Sequence, residues 1–354
     1  MSAIQQTDDD IRMIRDSAAA VAPPGGDLRR IRVLRFVEPG FDRGVWGEMC
    51  TLGLPGLLLE EAACGAGLGM RAFCALVEEL GAGLVPEPLI GATLAARLLH
   101  GPALDDLLGG THLVLPAWQE APNTLLPGAE TRLADGRVSG QKLFIPMAAG
   151  ADAFLVLTPG AAMLVARDAP GVHLVCAGTQ DGGHFGTISL DNAPGTAMPA
   201  ADIAAALDEA TLATAAYLLG VMQRAFALTL DYLRTRKQFG RAIGSFQALQ
   251  HRAADLQVQI ALTRASVESA AVTLDAGAAA SVRRAAVSRA KARASDAAML
   301  VTRQAIQLHG GIGYTDEYDV GLYLRKAMVL ANLYGSSSVH RARYAADAPE
   351  TDEI

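Results

Sequence analysis

Arg236-Lys237-Gln238-Phe239-Gly240-Arg241-Ala242-Ile243-Gly244-Ser245-Phe246-Gln247 is the stretch whose reading decides the fold of this 354-residue chain. It follows a run in which Leu219, Met222, Phe226, Leu230 and Leu233 recur at three- and four-residue steps, the period of a helix with an apolar face. Gly240 and Gly244 end that helix in a turn. A permanently charged arginine beside a turn suits a pyrophosphate, because its planar fork can give two hydrogen bonds to phosphate oxygens. Phe239 and Phe246 offer flat surfaces to an aromatic ring system. The same residues also read as a solvated basic helix end favoured by the helix dipole.

A second segment, Gln307-Leu308-His309-Gly310-Gly311-Ile312-Gly313-Tyr314, follows an alanine-rich helical run over about 281 to 308. Glycines without a Cβ let a backbone come close to a ligand, and their N–H groups can point at phosphate oxygens. The spacing is not the GxGxxG dinucleotide pattern, and no parallel βαβ unit surrounds it. A helix C-cap followed by a tight turn explains the same letters.

Outward from these segments the chain separates into three zones, 1–110, 111–200 and 201–354. The first is helical: Phe73, Leu76, Val77, Leu80 and Leu84 fit one face, with Glu78 and Glu79 expected on the solvated side. Pro23-Pro24-Gly25-Gly26, Leu54-Pro55-Gly56, Pro86 and Pro88 punctuate it. Asp8-Asp9-Asp10 reads as a charge run at a helix N-terminus. The second zone has short apolar runs (113–115, 142–145, 153–157, 162–166) separated by turn formers, and Asp135-Gly136 signals a hairpin. The third predicts four long helices, including Leu249, Ala253, Leu256 and Ile260 in the second and Leu322 to Leu333 in the fourth, and hence an antiparallel bundle.

Composition narrows the function. Hydrophobic residues at 51% against 19% charged describe a globular chain. A net charge of −7 and a pI near 5.5 argue against nucleic-acid binding, which needs surplus cations. No basic N-terminal region with an apolar run reads as a secretory signal, and no uninterrupted apolar stretch predicts a membrane span. Cys50, Cys64, Cys74 and Cys176 are scattered without metal-site spacing, so free thiols, no metal and a cytoplasmic compartment are expected.

Read jointly, the two segments resemble the acyl-CoA dehydrogenase family. The resemblance covers most of the chain and is most specific in RTRKQFGRAIGSFQALQHR and QLHGGIGYTDEYDVGLYLRKA. It is looser in FDRGVWGEMCTLGLPGLLL and the Gly67-Leu68-Gly69 turn. It implies an α+β fold with an N-terminal α-helical domain, a small middle β-barrel and a C-terminal four-helix bundle. It also implies FAD, dimers or tetramers, an acyl-CoA substrate, and an electron-transfer flavoprotein or similar acceptor. Carried over, the residues reaching a flavin shared between subunits are Arg236, Gln238, Phe239, Phe246 and Gln247. Those holding its ADP half are Gln307, Gly310 and Gly311.

The β zone departs from the family pattern. The Thr-Glu-Pro-Gly segment is replaced by Ala117-Trp118-Gln119-Glu120-Ala121, where the Gln119 amide can still donate and accept. The Trp-Ile-Thr segment is replaced by Phe144-Ile145-Pro146. Phe144 can pack on a ring, but Pro146 offers neither hydroxyl nor backbone N–H.

The largest departure concerns the base. The family reaction removes an α-proton while a hydride leaves the β-carbon, so a positioned carboxylate is needed. One family position for it falls on Gly335, within Tyr334-Gly335-Ser336-Ser337. The other falls on Ala210, one residue from Glu209, which is the candidate base if the register shifts by one. Asp316, Glu317 and Asp319 read as a cap on the last helix, and His309 and His340 as structural histidines. The favoured expectation is therefore a base-lacking subunit that pairs with a second, base-bearing acyl-CoA dehydrogenase-like subunit. The alternatives are a self-sufficient homomeric enzyme using Glu209, a scaffold without flavin, and a flavin oxygenase on the same fold.

Overall fold

A computed structural model describes residues 3–23, 25–199 and 202–348. The expected limits at 200 and 201 and Pro24 of the Pro23–Gly26 turn lie outside these residues, as do the side chains of Asp8 and Asp10. Among the described residues six α-helices come first: α1 (Ala3–Ala18), α2 (Arg29–Leu34), α3 (Arg43–Thr51), α4 (Met70–Ala82), α5 (Leu89–Ala96) and α6 (Pro102–Leu108). Eight strands follow: β1 (Val114–Ala117), β2 (Arg132–Ala134), β3 (Arg137–Pro146), β4 (Ala153–Thr158), β5 (Ala161–Ala166), β6 (Val172–Gly178), β7 (His184–Pro194) and β8 (Thr196–Met198). The C-terminal part holds α7 (Ile203–Thr235), α8 (Gln247–Asp275), α9 (Ala280–His309), α10 (Val320–Leu330) and α11 (Ser337–Asp347). A two-stranded ribbon, β9 (Lys237–Gln238) and β10 (Arg241–Ala242), lies between α7 and α8. By its contacts the chain forms two compact units, residues 29–73 with 86–211, and residues 1–28 with 74–85 and 212–354.

In the first unit the strands form two four-stranded sheets, β1-β4-β5-β8 and β2-β3-β7-β6. β1 and β4 run parallel and the other pairs are antiparallel. An isolated bridge between Gln119 and Leu143 ties the segment after β1 to β3. Asp135 and Gly136, at φ 49° and 69°, make the predicted β2–β3 hairpin turn. β6 and β7 are elements that the apolar runs did not reveal, because they are half-buried strands whose inward and outward residues alternate.

The second unit is the helical bundle. α7 is buried nearly all round from Ala206 to Met222. It is long and apolar enough to cross a membrane, but 83% of its apolar window is buried in the protein, which makes it a core helix. α4 and α7 cross in backbone contact. A Cβ on Gly220 would stand 1.9 Å from the Glu78 carbonyl oxygen, and one on Gly81 2.2 Å from that of Tyr217. The Tyr217 hydroxyl donates to the Val85 carbonyl at 2.9 Å, closing the end of α4 onto the same helix.

One charged residue corrects the sequence reading. Glu78, expected on a solvated face, is buried. Arg15 on α1 donates to it at 2.9 Å and Arg264 on α8 grips both of its oxygens. Glu79 pairs with Arg15 at the surface. The fourth bundle helix also differs: α10 stops at Leu330, short of Leu333, and α11 follows after a turn. Tyr334 and Gly335, at φ 57° and 102°, adopt left-handed geometry that no helix can continue.

Candidate functional site

The two marker segments leave the same end of the bundle. Tyr232, in the last turn of α7, stacks on His309, the last residue of α9, with ring centroids 4.5 Å apart. Tyr318 covers the imidazole from another side at 4.8 Å. His309 Nδ1–H donates to the Ala305 carbonyl at 2.7 Å, while Nε2 is buried without a partner. Burial pushes this imidazole below its usual pKa, against the pull of the Ala305 bond, so it is a neutral packing ring. Tyr232 and Tyr318 were not expected here, since their pairing with His309 joins residues far apart in sequence.

From this shared end, Arg236 begins the β9–β10 ribbon. Gln238 pairs with Arg241 and Lys237 with Ala242. Phe239 and Gly240 form the two-residue turn at φ 52° and 79°, as a type I′ turn requires. Glycine meets that demand freely, but phenylalanine does not, and its ring is 89% exposed. Phe246 meets Phe239 edge-on at 6.1 Å, and the Arg241 guanidinium lies 4.1 Å from the Phe246 ring centre. Arg241 is a further residue of this surface, quoted in the motif but not singled out from it. Arg236, Gln238 and Gln247 are exposed, and no ion pair is recorded for Arg236 or Lys237 among the described residues. Gly244 is needed for packing, since a Cβ there would stand 2.9 Å from the Leu233 carbonyl oxygen.

Beside the ribbon, Gly310 closes α9 at φ 65° and ψ −141°, a conformation reserved for glycine. Gly311 is different. It is exposed, its φ is not positive, and no atom lies within 4 Å of where its Cβ would stand. Gln307, one turn earlier, is exposed. The acidic turn caps α10 only by position: Asp319 makes no capping hydrogen bond, and Asp316 pairs loosely with Arg325 at 3.7 Å.

The remaining predicted residues belong to the other compact unit. Gln119 is buried, with its carbonyl accepting from Leu143 N–H at 2.8 Å. Phe144 sits in a bulge of β3 at φ 56°, edge-on to Phe185 at 6.3 Å. Sequence reading missed the group that fixes this corner. Lys142, fully buried, donates to Glu120 at 2.7 Å, and Glu120 also accepts from the N–H groups of Glu130 and Thr131. Against the opposing effect of burial, these bonds hold the Glu120 carboxyl down to about 2. Glu209 is gripped on both oxygens by Arg97, at 3.0 and 3.1 Å, while Arg97 also reaches the Leu58 carbonyl at 3.2 Å. A guanidinium fork takes one acceptor site on each oxygen and ties the carboxylate to Arg97. Ala210 beside it is buried.

At Gly335 there is no side chain to accept a proton. Ser336 and Ser338 hydroxyls pair with each other at 3.0 Å. His340 is fully buried and satisfied, with Nε2–H donating to the Tyr334 carbonyl at 2.8 Å and Nδ1 facing the Ser288 hydroxyl at 3.3 Å. Burial first, then the nearby Lys291 charge, hold it down at about 3. It is therefore neutral, as a structural histidine should be. Among the described residues no group of three His, Cys, Asp or Glu side chains is arranged to hold a metal ion. The arrangement offers a cationic, aromatic and glycine-rich surface suited to a diphosphate and a ring, without a positioned carboxylate at 335.

Comparison with known proteins identifies the family. The family model described as "Acyl-CoA dehydrogenase, C-terminal domain" matches residues 201–348, and that described as "Acyl-CoA dehydrogenase, N-terminal domain" matches residues 8–101. The chain is 32% identical to acyl-CoA dehydrogenase IpdE2 of Mycolicibacterium smegmatis, over 91% of this chain and 94% of that protein. A structure titled as a variant of the Tcur3481-Tcur3483 steroid ACAD superposes with a TM-score of 0.87 at 30% identity, covering 96% of this chain and 98% of that one. A chain of the ChsE4-ChsE5 complex from Mycobacterium tuberculosis superposes at 0.84 with 26% identity, over 98% of both chains. On the fold, the bundle-end motifs and these matches together, the chain belongs to the acyl-CoA dehydrogenase family.

Proposed function

We propose that this chain is the base-lacking subunit of a hetero-oligomeric, FAD-dependent acyl-CoA dehydrogenase. Arg236, Gln238, Phe239, Phe246 and Gln247 meet the nucleotide from the ribbon, and Gln307, Gly310 and Gly311 meet its ADP half. The observation that carries the reading is Gly311. Among the described residues nothing beyond its chain neighbours fills the space beside its Cα, so a ligand can come close to the backbone there. Arg236, exposed and with no carboxylate partner among the described residues, supplies the charge such a ligand needs.

FAD, when bound, supplies the acceptor for the β-hydride. This chain's residues bind and orient: the Arg236 fork takes phosphate oxygens, Phe239 and Phe246 pack on flat surfaces, and Gly310 and Gly311 let the backbone approach. In the β unit, Gln119 and Phe144 stand on the corner braced by Lys142 and Glu120. Gly335 takes no proton, so the α-proton falls to a carboxylate of the partner subunit. The Arg97 fork weighs against Glu209 serving instead. Similarity to a steroid ACAD structure supports a bulky acyl-CoA substrate, for which a slot without a carboxylate leaves room. The assembly is a dimer or tetramer, an electron-transfer flavoprotein or similar protein accepts the electrons, and four free thiols suit the cytoplasm.

The test compares FAD affinity in wild type, Arg236→Ala and Gly311→Ala, each isolated with its natural partner. Arg236→Ala is expected to weaken FAD binding about 10- to 100-fold, the range for losing a charge-assisted bond. Gly311→Ala is expected to weaken it about tenfold with an unchanged Tm of the FAD-free protein, because the new methyl meets only the ligand. Wild-type FAD affinity in both variants would end this reading.

A further inference from the structure

The turn that lacks a carboxylate is held more tightly than an ordinary loop. Lys291, in the middle of α9, is fully buried. Its Nζ lies 3.0 Å from the Ser295 hydroxyl, 3.1 Å from the Leu330 carbonyl, 3.0 Å from that of Ala331 and 3.2 Å from that of Gly335. Ser295 Oγ also donates to Ala331 at 3.0 Å. The Asn332 carbonyl accepts the Gly335 N–H at 3.2 Å, and His340 takes the Tyr334 carbonyl. Side chains from α9 and α11 thus engage the carbonyls of residues 330, 331, 334 and 335.

A helix leaves its last carbonyls without intrahelical partners, and water normally serves them. Here Ala331, Tyr334 and His340 are buried, so an ammonium is brought in from α9. It also lies at the negative end of the α10 dipole. Burial lowers the Lys291 amine to about 7, with Asp296 opposing, so the charge is placed at a cost. His340 and Arg343 on α11 are the other ionisable groups coupled to this corner. The clamp also holds Tyr334 at φ 57°, where a bulky side chain is strained. Strain of this kind persists only where the surroundings over-determine it, and it gathers at ligand-contacting turns.

We propose that Lys291 is a positioning residue that sets the Tyr334–Gly335 turn for contact with the acyl thioester. The inference rests on the reading of Gly335 as the vacated carboxylate slot, and deepens it: the slot is a fixed wall, shaped from behind by a buried cation. Lys291 and Ser295 are buried and bond only to each other and to carbonyls of residues 330, 331 and 335, away from Arg236 and Gly311, so loss of the clamp and loss of FAD binding are separable.

The experiment uses the chain isolated with its natural partner, in wild type, Lys291→Met and Ser295→Ala. Hydrogen exchange of residues 331–338, FAD affinity, and the Kd for butyryl-CoA and for a steroid acyl-CoA are measured. In Lys291→Met, exchange of the Gly335 and Ser336 amides is expected to quicken about tenfold or more as the turn opens locally. The Kd of whichever acyl-CoA the wild type binds is expected to rise about tenfold through misplacement of the wall. FAD affinity stays at the wild-type value. Ser295→Ala shifts both readouts in the same direction by less, and it carries the test if Lys291→Met fails to fold. Unchanged exchange in Lys291→Met, or in Ser295→Ala where that variant stands in, would overturn the proposal. So would faster exchange with unchanged acyl-CoA affinity, which would leave the lysine a purely structural cap. A loss of FAD affinity in Arg236→Ala is independent of either result.

Discussion

Glu78→Ala is expected to cost about 3 kcal/mol of folding stability, read as a lower urea midpoint at unchanged slope. The carboxylate is buried and joins α1 and α8 to α4 through Arg15 and Arg264. Removing it leaves two guanidinium groups facing a hole, beside a helix crossing with no spare room at Gly81 and Gly220. Both arginine side chains are one-third exposed, so they can regain water, which keeps the loss near the lower end of the range for broken buried pairs. Arg264→Ala should cost less than Glu78→Ala, because Arg15 still neutralises the carboxylate. Equal losses would mean that the charge network is not what holds α8 to α4.

The second large effect is a dependence on pH centred on the α9–α11 corner. His340 titrates at about 3 in the folded chain against 6.5 for the free side chain. The unfolded chain therefore binds more protons between those values, and stability falls as pH drops through that window. From His340 alone the loss approaches about 4 kcal/mol by pH 3, at 1.36 kcal/mol for each pKa unit. Lys291 has the same sign in a higher window. Its folded value of about 7 lies below its ordinary 10.5, so Lys291 adds stability as pH rises from 7, until above about pH 9 the Cys50 and Cys74 thiols, which burial pushes up, oppose it. His340→Gln should flatten the acid limb in urea melts between pH 4 and 7 and leave the alkaline rise intact. An acid limb as steep as wild type would mean that other groups carry it.

Much of this molecule was legible because its signals are local. The helical period of Phe73 to Leu80, the Asp135-Gly136 hairpin and the two bundle-end motifs each depend on neighbours within a few residues, although Leu84, expected on the same face, lies past the end of α4 at φ 52°. What escaped depends on partners far along the chain. Glu78 reads as solvated until Arg15 and Arg264 are seen to arrive from other helices. Glu120 and Lys142 announce nothing singly, yet together they brace the corner bearing Gln119 and Phe144. Lys291 did leave a trace. It falls in register with Val287, Ala294, Ala298 and Thr302 on the buried face of α9, where a lone cation needs an explanation. The end of α10 was misjudged because Leu330, Ala331 and Leu333 continue the apolar run, while the chain leaves the helix at Leu330 and turns through the left-handed Tyr334 and Gly335.

Phe239 shows what its ribbon is tuned for. An asparagine in its place would relax the left-handed turn by about 1 kcal/mol and remove a greasy ring from water. A chain selected for robustness alone would have made that exchange. The tip of the ribbon thus carries an exposed ring on left-handed backbone, and the same exchange offers engineers a sturdier variant.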